Sequence, residues 1–123
     1  MNIRGTDFVM FQVTDMPKAV RFYGEILGLP QEVDTEDFAE FNGGNVTLSL
    51  IRAGEMETGG TIAFAVDDVE AAYAELKDKG AHLEGEPVDH GCCKAVTVQD
   101  PDGNVVIIHC RADGTFGQDP ESQ

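Results

Sequence analysis

His109 is the one histidine that closes an aliphatic run, Val105-Val106-Ile107-Ile108-His109, and an imidazole is the side chain best suited to proton transfer near neutral pH. Two partner types are available to it. A carboxylate such as Glu40 beside the ring would raise its pKa and form an acid–base pair. A thiol such as Cys93 beside it would form a nucleophile. Glu40, Cys93 and His109 together are also a chemically possible ligand set for a displaced metal, although their spacing matches no known pattern. Each has a plainer role as well: an interior histidine held by hydrogen bonds, one acid on a solvated face, and a free structural cysteine. His109, Glu40 and Cys93 are the catalytic candidates, with the chemistry left open between these readings.

The three cysteines make an odd count: Cys92 and Cys93 are adjacent and Cys110 is isolated. This is neither a CxxC pair nor a zinc knuckle, so free thiols in a reducing compartment are expected. In a strand, Cys92 and Cys93 point to opposite faces, so at most one of them reaches a given face.

Charge narrows the partners. Twenty-three acidic residues face eight basic ones, for a formal net charge of −15. Such a field repels phosphate backbones and anionic membrane surfaces, which excludes nucleic-acid and membrane binding from the expected functions. The acids are spread along the chain as a solvated surface rather than gathered in a tail. A high-salt source and an ordinary acidic bacterial protein are equally good origins for it. No window reaches the roughly 20 apolar residues of a membrane span, and the first residues, Met1-Asn2-Ile3-Arg4-Gly5, form no secretory signal. A soluble cytoplasmic protein is expected.

The elements that must position these groups form a repeating series. Residues 6–13 alternate as a strand, Thr14-Asp15 caps a helix with Pro17 in its first turn, and the helix runs to about Leu27, stopped by Gly28. Its apolar face is Met16, Ala19, Val20, Tyr23, Ile26 and Leu27. Short strands follow at 31–34 and 38–42, then the turn Asn42-Gly43-Gly44-Asn45 and a strand at 46–51. The series restarts with a strand at 61–66. Asp68 caps a helix with face Val69, Ala72, Tyr73 and Leu76, and Gly80 ends it. Strands near 82–86 and 93–99, the turn Asp100-Pro101-Asp102-Gly103-Asn104 and a last strand to Cys110 complete the copy. Phe11-x-Val13-x-Asp15-Met16-x-x-Ala19 matches Phe64-x-Val66-x-Asp68-Val69-x-x-Ala72, so two βαβββ modules stand in tandem. With 41% hydrophobic residues the chain can build a core without staples. One α+β domain over 1–112 is expected, with modules at about 5–52 and 60–111 and a flexible, acidic tail at 113–123.

This arrangement resembles the vicinal oxygen chelate superfamily, the glyoxalase, bleomycin-resistance and extradiol-dioxygenase group. The residues that carry the likeness are Val13-Thr14-Asp15 leading into Arg21-Phe22-Tyr23 and Ile26-Leu27-Gly28, then Phe64-Ala65-Val66-Asp67-Asp68-Val69, and finally the Asp100–Asn104 turn. The likeness implies curved sheets forming a cleft, commonly completed in a homodimer. It fixes the fold and leaves the reaction open.

Metal-using members hold one divalent ion through His, Glu or Gln at four cleft positions, two opening the first strand of each module and two on the last strands. Carried over, these positions hold Phe8, Thr61, Ser49 and Ile107. None of these side chains is a competent ligand for a divalent ion, so the resemblance implies no metal and no other cofactor here. Alternation then places Phe8, Met10, Gln12, Glu40, Ser49, Thr61, Cys93, Ile107 and His109 on the cleft as ligand-binding residues. An apolar pocket with a few polar groups suits a small organic molecule. A metal-free binding protein is the leading expectation, and a glyoxalase-like lyase or isomerase using His109 and Glu40, or a relocated metal, is the alternative.

Overall fold

A computed structural model of the chain describes Asn2, residues 8–54 and residues 59–116. It divides into two compact units, Met1–Gly59 and Gly60–Gln123. The start expected for the first strand, at residues 6 and 7, and the end of the expected tail, residues 117–123, lie outside the described residues.

In the first unit, β1 (Phe8–Val13) leads into α1 (Met16–Val20), followed by β2 (Gln31–Asp34), β3 (Phe38–Asn42) and β4 (Thr47–Arg52). The sheet order is β1-β4-β3-β2, with β1 and β4 parallel and the other pairs antiparallel. Asp15 is the N-cap, and its carboxylate accepts the Lys18 N–H at 3.1 Å. Such a cap contributes about 1 kcal/mol.

The helix departs from the sequence expectation past Val20. Residues Arg21–Ile26 form a π-helical continuation, in which the Leu27 N–H reaches back to the Phe22 carbonyl. A wider turn carries one more residue than an α-turn, so the neighbours Phe22 and Tyr23 both face the core. They stack edge to face with ring centroids 4.9 Å apart, and Tyr23 leans on Phe41 of β3. Phe22 therefore joins the buried face, while Val20 and Leu27, expected there, are only half-buried. The helix covers the sheet side made by Phe11, Val13, Ala39, Phe41, Leu48 and Leu50, all buried.

The second unit repeats the plan. It runs β5 (Thr61–Ala65), α2 (Val69–Asp78), β6 (His82–Leu83), β7 (Val88–Asp89), β8 (Cys93–Gln99) and β9 (Val105–Arg111). β5 is parallel to β9, which pairs antiparallel with β8, and both β6 and β7 pair with β8. The strand expected near 82–86 is thus two short pieces, and its continuation lies beyond Pro87, which has no N–H to give to a ladder. Asp68 caps α2, accepting the Ala71 N–H at 3.1 Å. α2 packs on β8 and β9 over buried Val69, Leu76, Val96, Val98, Val106 and Ile108.

The duplication extends to register. Phe8 lies opposite Thr47 and Met10 opposite Ser49; Thr61 lies opposite Val105 and Ala63 opposite Ile107. In each unit the first-strand position and the last-strand position singled out from sequence are diagonal neighbours on one face.

Candidate functional site

With the helix-covered side of the first sheet filled by the core, alternation leaves the other side to Phe8, Met10 and Gln12 of β1, Thr47, Ser49 and Ile51 of β4, and Phe38 and Glu40 of β3. Phe8 is 52% exposed, Met10 44% and Ile51 38%, an unusual grouping of large apolar side chains on a rigid sheet. At their centre Ser49 is buried and lies opposite both Met10 and Glu40 in the ladder. Its hydroxyl donates to Glu40 Oε2 at 3.2 Å. A half-buried carboxylate among apolar side chains can accept a hydrogen bond from a ligand N–H or O–H, and it disfavours an anion.

On the second sheet the corresponding face carries Thr61, Ala63 and Ala65 of β5, Ile107, His109 and Arg111 of β9, and Cys93, Ala95 and Thr97 of β8. His109 is half-buried and lies between Ala65 and Ala95, whose methyl groups leave room around the imidazole. Cys93 is on the same face but opposite Arg111, two residues from His109 along the sheet. Its thiol pairs with Cys92, Sγ to Sγ 3.5 Å. That contact, with burial adding to it, pushes the Cys93 thiol above its ordinary range. A thiol kept protonated is a weak nucleophile, which counts against a Cys93–His109 nucleophile. Cys110 lies on the opposite side, its thiol 3.7 Å from the Asp67 carbonyl.

The structure thus brings Glu40 and Ser49 together in one unit and sets Cys93 and His109 on one face in the other. Sequence reasoning missed Phe38 and Arg111. Phe38 shares the parity of Glu40 within β3, so alternation contained that signal. Arg111 required knowing that β9 runs past Cys110, which depends on its pairing with Cys93.

A family model described as the Glyoxalase/Bleomycin resistance protein/Dioxygenase superfamily matches residues 5–108. The chain belongs to this superfamily. A metallothiol transferase FosB of Staphylococcus haemolyticus is 32% identical over 116 residues, spanning 87% of this chain and 84% of that protein. A probable lactoylglutathione lyase of Vibrio parahaemolyticus is 28% identical over 121 residues, covering 80% of this chain and 85% of the relative. Among solved structures, a glyoxalase/bleomycin resistance protein/dioxygenase from Nocardioides superposes with TM-score 0.76 at 21% identity, over 96% of this chain and 91% of that one. This last likeness concerns the fold alone.

Superfamily membership makes a divalent ion the group to test against the donors present. At the four strand positions Phe8 and Ile107 offer no donor, Thr61 offers a neutral hydroxyl, and the Ser49 hydroxyl is committed to Glu40. Among the described residues no three His, Cys, Asp or Glu side chains gather in a way that could hold a metal. Phe8, Ser49, Thr61 and Ile107 bring no imidazole, thiolate or carboxylate to these positions, the donors by which proteins usually hold Zn²⁺, Mn²⁺ or Fe²⁺. No helix among the described residues is long and apolar enough to cross a membrane.

Proposed function

We propose that this superfamily member binds a small, mainly apolar organic molecule without a metal ion, on the open face of β1, β3 and β4. The observation that carries the reading is the exposed trio Phe8, Met10 and Ile51 around the Glu40–Ser49 pair, with Phe8 and Ser49 at positions where a metal-using relative would present ligands. Phe8 supplies a stacking wall for a planar body, and Glu40 accepts from a polar N–H or O–H. The net charge of −15 favours a neutral or cationic ligand. On the second unit, Thr61, Ile107, His109 and Cys93 are proposed as the ligand-facing residues of their own sheet. Sequestration, sensing or a resistance-like role fits such a protein, and the reading includes a cytoplasmic homodimer with both modules in one domain over 1–112.

Titration with the neutral dye Nile red, with and without EDTA, tests the metal-independent part. The same affinity in both conditions is expected. An affinity that collapses on chelation and returns with added Zn²⁺ or Mn²⁺ would overturn it.

A second reading draws on relatives whose names describe a transferase and a lyase. It makes the protein a glyoxalase-like lyase or isomerase using His109 and Glu40 or a relocated divalent metal. Turnover that disappears in His109→Ala with ligand binding intact would favour it.

A further inference from the structure

Where the turn after β7 enters β8, the sulfur of Cys92, which the proposed binding face does not use, lies against that of Cys93, the first residue of β8. Cys92 is exposed, Cys93 half-buried, and their Sγ atoms are 3.5 Å apart. Adjacent cysteines in a regular strand would point apart, but Cys92 precedes the strand and follows Gly91, whose φ of +85° turns the chain. The backbone there is pinned from three sides. The His90 N–H bonds the Cys93 carbonyl at 2.8 Å, the Ala112 N–H bonds the Cys92 carbonyl at 2.9 Å, and the Gly91 N–H bonds Asp89 Oδ1 at 2.8 Å.

We infer that Cys92 and Cys93 form a two-thiolate chelating site for a soft divalent d10 cation of the zinc or cadmium kind. With zinc–sulfur bonds of about 2.3 Å, sulfurs separated by 3.5 Å subtend about 100° at the metal, far from linear and within reach of tetrahedral. Chelation therefore requires the sulfurs to separate by only a few tenths of an ångström. Oxidation to a disulfide instead requires closing that 3.5 Å to about 2.05 Å between neighbours on a pinned backbone. Binding replaces two S–H bonds by two metal–sulfur bonds and releases two protons, while water fills the remaining positions. Thiolates select soft cations over the hard ions that carboxylates hold. The net charge of −15 raises the local cation concentration around the turn.

The test titrates the reduced full chain with CdCl2, reading sulfur-to-cadmium charge-transfer absorption and the protons released at constant pH. About one cadmium per chain with about two protons is expected, lost in Cys92→Ser and in Cys93→Ser and unchanged in Cys110→Ser. Cadmium held only by surface carboxylates would give no charge-transfer band and would overturn the site. So would an unchanged band in Cys92→Ser, or a protein that loses two hydrogens by mass and takes up no cadmium.

Discussion

Replacing Asn104 with alanine is expected to destabilise the protein by about 3–5 kcal/mol, out of a total of about 5–15 kcal/mol for a domain of this size. Asn104 is fully buried and Asp100, four residues earlier, nearly so. The Asn104 side chain donates from Nδ2 to Asp100 Oδ2 at 2.8 Å and accepts the Gly60 N–H on Oδ1 at 2.8 Å. The other carboxylate oxygen, Asp100 Oδ1, takes the N–H groups of Asp102 at 2.9 Å and Asn104 at 2.8 Å. Alanine would leave a buried carboxylate oxygen without its amide donor and the Gly60 N–H without its acceptor, beside a new void. The loss would also loosen the entry to β5, since Gly60 directly precedes it. Urea unfolding followed by circular dichroism reads the effect directly. A shift below about 1 kcal/mol would mean that water replaces these bonds and that the turn is not the clasp described here.

The second large effect concerns the binding face. Phe8→Asp is expected to lower Nile red affinity by tenfold or more, about 1.4 kcal/mol for each factor of ten. The substitution removes the stacking wall and sets a second carboxylate on the face that already holds Glu40. Stability should change by less than about 1 kcal/mol, because Phe8 is 52% exposed and contributes little to the core. Loss of binding with an unchanged melting temperature supports the assigned face. Binding that survives would place the ligand elsewhere, and Met10→Asp and Ile51→Asp would then be expected to have no effect either.

Much of the fold was legible because it rests on local signals. The caps Asp15 and Asp68, the strand alternation and the repeated Phe-x-Val-x-Asp pattern each depend on spacing within a few residues, and the structure carries all three. The π-helical turn was not legible. It arises from the need to bury two adjacent aromatics, Phe22 and Tyr23, against Phe41, a partner eighteen residues beyond Tyr23 in the chain. The interruption between β6 and β7 had a local signal in Pro87 that periodicity alone outweighed.

For the site, parity sets which side chains share a face: along β1, Phe8, Met10 and Gln12 are exposed where Phe11 and Val13 are buried. Parity cannot give pairing between strands. The Glu40–Ser49 hydrogen bond and the alanines flanking His109 follow from register, which the sequence encodes only through the whole sheet. The Cys92–Cys93 approach was hidden for the opposite reason: strand parity separates neighbours, whereas the turn at Gly91 keeps Cys92 out of the strand.

The central claim, a superfamily scaffold whose binding face works without a metal, is tested most directly by elemental analysis. The protein should carry Cys92→Ser, so that the thiol pair cannot chelate, and be purified without chelator. Less than about one-tenth of a divalent ion per chain, together with Nile red binding equal to that of the unsubstituted protein, is the predicted result. About one ion per chain, lost in Glu40→Ala or His109→Ala made in the same background, would contradict it and put a relocated metal centre in its place.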